Sequence, residues 1–203
     1  MNVDKLLAGL LMAQVVKDKL EHIAHSAKAA GEGLVIECGV WKGASLAVIA
    51  DAVRPRTVYG LDSFKGLPAP WIRSSGQTVG TGHFSLPSPI ETPRENAMIV
   101  VGMIEETLPE LLADHPGEPI GFLHVDVDLG TVAAAILEAS ADRLAAGSVI
   151  RFDELCDWGG YPTRYPEWPQ EEFRAFAEWL DKSGKEARAL SRDAWEGATF
   201  EIL

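Results

Sequence analysis

The chain has 203 residues, 47% apolar and 24% charged, which fits one domain, or one domain with an N-terminal extension, at ~100–200 residues per domain. Its 18 basic and 30 acidic residues leave a net charge of −12, which argues against a nucleic-acid backbone or an anionic membrane as partner. Cys38 and Cys156 are too few for a secreted disulfide framework, and the longest apolar run, Leu6 to Ala13, falls short of the ~20 residues a membrane span needs. A cytoplasmic location is therefore expected.

Val3, Leu6, Leu7, Leu10, Ala13, Val16, Leu20 and Ile23 recur at three- and four-residue steps. The spacing predicts one amphipathic helix, an extension over residues 1–30 that precedes a main domain over 31–203. Its apolar stripe covers either its own domain or a second subunit, so homo-oligomerisation stays open. His22 and His25 on this helix read as surface or packing residues.

A strand–helix alternation follows. Leu34 to Gly39 is a short buried strand, Gly43 to Val53 a helix stopped by Pro55, and Thr57 to Asp62 a second strand. Residues 63–96 are rich in Gly, Pro and Ser and read as a long irregular segment. A loop of that length is functional or mobile, and it is expected to order over a bound ligand. Ala97 to Gly102, Ile120 to Asp128 and Ser148 to Asp153 are further strands. Glu105 to Asp114 and Thr131 to Ala145 are the helices between them. Gln170 to Lys182 is a helix closed by Gly184, and Glu186 to Leu190 with Thr199 to Leu203 form a final antiparallel ribbon.

Strands separated by helices imply a doubly wound, mostly parallel α/β sheet. Ligands of such sheets bind beyond the carboxyl ends of the strands. Here those ends carry Glu37, Asp62, Asp126 with Asp128, and Asp153 with Glu154. Buried charge is costly unless it holds something, so this rim is read as a ligand site.

At the first strand–helix turn, Gly39 permits a tight bend and Gly43 lets backbone approach a ligand at a helix N-terminus. There is no G-x-G-x-x-G and no phosphate loop, which disfavours a pyrophosphate cofactor. Asp62 ends the second strand, where a carboxylate suits ribose hydroxyls. Acid at Glu37 suits a cofactor with a cationic group. A nucleoside joined to an amino acid describes S-adenosylmethionine.

The segment Gly60-Leu-Asp-Ser-Phe-Lys-Gly-Leu-Pro68, with Trp71, resembles the macrocin O-methyltransferase (TylF-like) family of class I methyltransferases. Gly102 to Pro109, His124 to Leu129 and Gly147 to Glu154 agree with it in order and spacing. The resemblance implies a Rossmann-like, seven-stranded sheet, S-adenosylmethionine as donor and Mg²⁺-assisted O-methylation, often of a sugar hydroxyl. By motif position, Glu37, Gly39, Asp62 and Ser63 fall on the cofactor, with Gly102 and Met103 near its adenine. Gly130 stands where the family often has Tyr, and Glu154 where it usually has a second Asp.

Asp126 and Asp128, two apart, face one side if both keep strand geometry, and the next strand brings Asp153 and Glu154 alongside. Three or four carboxylates with no partnered Cys or His make a hard, oxygen-only site, which favours Mg²⁺, Ca²⁺ or Mn²⁺ over zinc. Following the family pattern, Asp126, Asp153 and Glu154 are assigned to metal and Asp128 to the general base. His124 and His83 are alternative bases, and Lys65 or Arg151 can satisfy nearby acids. The aromatic stretch from Trp158 to Pro169, with Trp71, either faces an acceptor or packs onto the domain. Cys38 and Cys156 are read as packing residues.

The expected function is methylation of a hydroxyl on a sugar or other small natural product. The competing readings are metal-independent N-methylation of an amine, and a cofactor-binding domain without methyl transfer.

Overall fold

A computed structural model describes residues 3–74, 77–158 and 165–203. Eight strands form the main sheet, in the order β1 (Gln14–Val15), β9 (Ala187–Arg192), β10 (Ala198–Ile202), β8 (Val149–Phe152), β7 (Ile120–Val125), β2 (Leu34–Cys38), β3 (Val58–Asp62) and β6 (Ala97–Val101). Its centre is β2 (Leu34–Cys38), buried along its whole length, with β3 (Val58–Asp62) and β7 (Ile120–Val125) parallel on either side. Beyond them lie β6 (Ala97–Val101) and β8 (Val149–Phe152), also parallel. The ribbon β9 (Ala187–Arg192) and β10 (Ala198–Ile202) adds β10 antiparallel to both β8 and β9. Seven strands match the expected count, and the eighth, β1 (Gln14–Val15), is a two-residue edge on β9.

The double winding follows from side-chain alternation. Val35, Phe122 and Val149 enter one apolar cluster, with Ile23 and Ala27 of α2 (Lys19–Lys28) and Leu46 and Ile49 of α3 (Ala44–Ala52). Their neighbours Ile36, Leu123 and Ile150 enter the other. That second face packs α1 (Val3–Met12), α4 (Ile104–Asp114), α5 (Gly130–Ser140) and α6 (Glu172–Ser183) through Leu10, Leu108, Leu137 and Phe176. Gly184 ends α6 in the left-handed region, φ 68°, as expected. Among the described residues no helix is long and apolar enough to cross a membrane. Cys38 and Cys156 are buried free thiols.

Three expectations need correction. The N-terminal segment is two helices, because the Val16 N–H bonds the Arg192 carbonyl on β9 and Asp18 restarts the helix by accepting the Glu21 N–H at 2.9 Å. Both helices cover their own domain: Leu6 and Leu10 sit in one cluster, Ile23 and Ala27 in the other. Residues 63–96 are not wholly irregular, since β4 (Trp71–Ser74) and β5 (Gln77–Val79) form a separate antiparallel hairpin. The Ala-rich helix stops at Ser140, beyond which Arg143 donates to the carbonyls of Leu112, His115 and Glu118.

Candidate active site

A cavity opens at the carboxyl ends of β2, β3, β6, β7 and β8. Gly39, Asp62, Ser63, Met103, Asp126, Asp128 and Glu154 all line it. Gly39 has φ 91°, and a Cβ there would lie 1.8 Å from the Asp126 carbonyl oxygen. The first turn thus closes directly onto the end of β7, a contact that only glycine permits.

Asp62 holds that turn in place. Its Oδ2 accepts the Val40 and Trp41 N–H groups at 2.8 and 2.7 Å, and its Oδ1 accepts the Phe64 N–H at 2.7 Å. A carboxylate offers about four acceptor sites, so capacity for a ligand hydroxyl remains. Met103 caps α4 beside Gly102, whose N–H bonds the Asp62 carbonyl. Gly43, at φ 79°, caps α3 beneath Ile90, and neither Gly43 nor Gly102 lines the cavity.

The acidic rim is crowded. Register pairs Val125 with Phe152, so Asp126 and Asp153 leave their strands side by side. The expected strand geometry through Asp128 does not hold: β7 ends at Val125, and the Leu129 N–H bonds the Val127 carbonyl at 2.7 Å. Asp128 is the central residue of this three-residue turn, with φ 63°, a conformation rare outside glycine. Both aspartates still reach the cavity, through the turn instead of through alternation. Burial, and then Asp153, push Asp126 up to about 8 and Asp128 up to about 7. Burial and Asp153 also hold Glu154 well above the carboxylate range. Behind the rim, burial and Asp128 do the same to Glu172 on α6.

Asp153 is the exception. Burial acts to raise it, but the Arg151 guanidinium and the Lys19 ammonium overrule that and hold it well below the usual range. Arg151 is fully buried and donates to Asp153 Oδ1 at 2.5 Å and to His124 Nε2 at 2.7 Å. The other ring nitrogen of His124 lies 2.8 Å from Glu37 Oε1, its register partner on β2. A carboxylate only accepts, so Nδ1 carries the ring proton and Nε2 accepts from Arg151. Glu37 and His124 are fully buried, and neither they nor Asp153 line the cavity. Among the described residues, ligand atoms of His124, Asp126 and Asp153 lie within 4.8 Å of one another. Glu154 is outside that group but on the same rim.

The sequence reading missed Lys19, Arg73 and Glu196. Lys19 contacts Asp153 Oδ2 and lies 3.9 Å from Glu154. Arg73 lines the cavity, 4.9 Å over the Trp71 ring, and donates to both Glu196 oxygens at 2.6 and 2.8 Å. None belongs to a local motif, so no sequence signal marked them. His83 is exposed and stacks edge-on against Phe84, and Lys65 is exposed. His22 is fully buried, with Nε2 3.0 Å from the Ser191 hydroxyl. Of the aromatic stretch, Tyr165 is buried and accepts from the Trp71 indole at 3.2 Å, while Trp168 packs on Phe173. Tyr161 lies outside the described residues.

Residues 36–155 match the family described as a methyltransferase domain. The chain belongs to that family. The match runs from β2 to just past β8, so it spans every acid of the rim and leaves out Lys19 and Glu196. Solved structures share this methyltransferase fold. CalS11, a calicheamicin methyltransferase, aligns with TM-score 0.67 at 24% identity over 90% of this chain and 76% of its own. In an apo structure it is described as a TDP-rhamnose 3'-O-methyltransferase. The O-methyltransferase NovP gives TM-score 0.59 at 19% identity over 90% of this chain and 78% of its own. An O-methyltransferase from Bacillus cereus, solved with SAH, gives 0.60 at 14% over 99% and 88%. None of the curated proteins matches this methyltransferase.

Proposed function

We propose that this methyltransferase is an S-adenosylmethionine-dependent O-methyltransferase of the TylF-like kind. Its acceptor is a hydroxyl on a sugar or other small natural product, and Mg²⁺ assists the reaction. The observation that carries this reading is Asp128, a carboxylate held in a strained turn at the cavity edge, level with the turn that Asp62 organises. Strained backbone of this kind clusters at functional sites. The descriptions of CalS11 as a sugar O-methyltransferase and of the Bacillus cereus enzyme with SAH support the donor and the acceptor class.

In this reading Asp62 accepts a ribose hydroxyl, Gly39 and Ser63 give the cofactor close backbone approach, and Met103, held beside Gly102, borders the adenine. Gly43 fixes the start of α3 beside them. Glu37, whose Oε2 has no hydrogen-bond partner, supplies negative charge behind the turn toward the cofactor's cationic end. The acceptor oxygen attacks the sulfonium methyl carbon, the carbon–sulfur bond breaks to release S-adenosylhomocysteine, and Asp128 takes the hydroxyl proton.

Asp126 and Glu154 line the cavity and Asp153 lies beside Asp126, so three carboxylates gather at one rim, a donor set that fits a hard divalent cation. Such an ion lowers the pKa of a hydroxyl bound to it. A second reading, N-methylation of an amine without metal, draws support from the contact of the Lys19 ammonium with Asp153, an ammonium held on the rim. Methyl transfer to a panel of sugars, phenols and amines, with Mg²⁺ or EDTA, separates the two. Amine turnover unaffected by EDTA overturns the O-methyl reading.

Two outcomes test the cofactor placement. Asp62→Ala is expected to weaken S-adenosylhomocysteine binding by about 1.5–3 kcal/mol in calorimetry, from lost hydrogen bonds to a charged group and a loosened turn. Unchanged affinity moves the ribose elsewhere. The 63–96 segment folds back on itself through Leu67–His83 and Leu86–Phe64 backbone bonds, and its Trp71 and Phe84 line the cavity. Limited proteolysis is expected to cut this segment in the free protein and spare it with cofactor bound. Equal cutting in both states removes its role as a lid.

A further inference from the structure

The rim holds more acid than Arg151 can neutralise, and the cation that completes it comes from outside the family-matched region. Lys19 sits in the first turn of α2, directly after the cap Asp18. A positive side chain opposes the helix dipole there, so the local sequence gains nothing from a lysine at this position. Its ammonium instead reaches across the fold to Asp153 Oδ2, lies 3.9 Å from Glu154 and lines the cavity with Asp126 and Asp128. Two features aim it there. The break between α1 and α2 restarts the chain at the rim, and the buried His22, bonded to Ser191 and Thr199, ties α2 to β9 and β10.

We propose that Lys19 is a tethered counter-ion of the acidic rim, which a divalent cation must displace in order to bind. This rests on the metal reading above. Asp153 Oδ1 is already taken by Arg151, so Oδ2 is the oxygen it has left to offer, and Lys19 covers it. A divalent ion on that oxygen meets the ammonium at contact range, where the two positive charges repel each other. Lys19 then swings away, which its half-exposed side chain permits. The tether keeps the rim folded when metal is scarce and sets the threshold at which metal enters.

The probe is Mn²⁺, followed by calorimetry and by thermal unfolding of the full chain. Lys19→Met is expected to bind Mn²⁺ about 10–100-fold more tightly than wild type, an effect of the same size as the affinity lost when supporting groups just outside a metal's ligands are removed, but of opposite sign. Without metal it melts below wild type, and saturating Mn²⁺ raises its melting temperature by more than it raises that of wild type. Lys19→Arg keeps the charge and stays within a few-fold of wild type. A merely structural lysine would lower the melting temperature of Lys19→Met without tightening Mn²⁺. That result, or equal Mn²⁺ affinity in all three proteins, overturns the inference and leaves the metal reading standing. No Mn²⁺ binding by any of them overturns both.

Discussion

Asp128→Asn is expected to lower turnover by ~10²–10⁴, the usual contribution of a positioned base, while cofactor and metal binding stay near wild type. The turn explains why this substitution is clean. Asp128 occupies φ 63°, and asparagine is one of the few non-glycine residues that tolerate the left-handed region. The amide therefore keeps the shape and the backbone while losing the ability to take a proton. Raising pH is expected to recover part of the rate as hydroxide stands in for the missing base. A fully active variant sinks the assignment, and so does one that loses Mn²⁺ binding, since Asp128 is then a ligand. The base then falls to a histidine, with a wild-type pH–rate limb near the ~6.5 of that side chain. Both histidines are poorly placed for it: the nitrogens of His124 face Glu37 and Arg151, and His83 is exposed on Phe84.

The centre of the sheet was legible because β2, β7 and β8 are buried on both faces. Runs such as Leu34 to Cys38 and Ile120 to Val125 are mostly apolar and bounded by turns, and that pattern needs no knowledge of partners. The acidic rim followed from the same boundaries, since strand ends could be read from where those runs stop. Three features were not legible, each for its own reason. The break before α2 was masked because Ala13 and Val16 prolong the helical period while the backbone from Gln14 to Val16 pairs with β9. The β4–β5 hairpin escaped notice because its two short strands, among the described residues, pair with each other and not with the main sheet. Alternation was extended through Asp128, yet the chain leaves the strand after Val125 and turns. The placement of Lys19 on Asp153 is a contact between distant segments, which no local pattern encodes.

Arg151→Met is expected to cost about 3–5 kcal/mol of folding stability, because it removes one partner from a buried ion network. Arg151 is the hub of that network. It is fully buried on β8, with Asp153 and His124 at one guanidinium nitrogen and Asp193 Oδ2 3.5 Å from the other. Asp193 in turn accepts the N–H groups of Trp195, Glu196 and Gly197 at 2.8, 2.9 and 3.0 Å, which shapes the β9–β10 turn. Methionine keeps the unbranched apolar stem of arginine, so the loss is chiefly that of the guanidinium, its charge and its hydrogen bonds. It leaves Asp153 and Asp193 enclosed without their shared cation, and His124 Nε2 without its donor. Against the 5–15 kcal/mol that holds a typical domain together, such a loss is a large fraction. Denaturant unfolding measures it as a lowered midpoint at unchanged slope. Arg151→Met combined with Asp193→Asn is expected to lose less than the sum of the two single variants, since each removes a charge that strands the other. A loss below about 1 kcal/mol, or strict additivity, would show that water reaches these acids and that the network does not hold the rim.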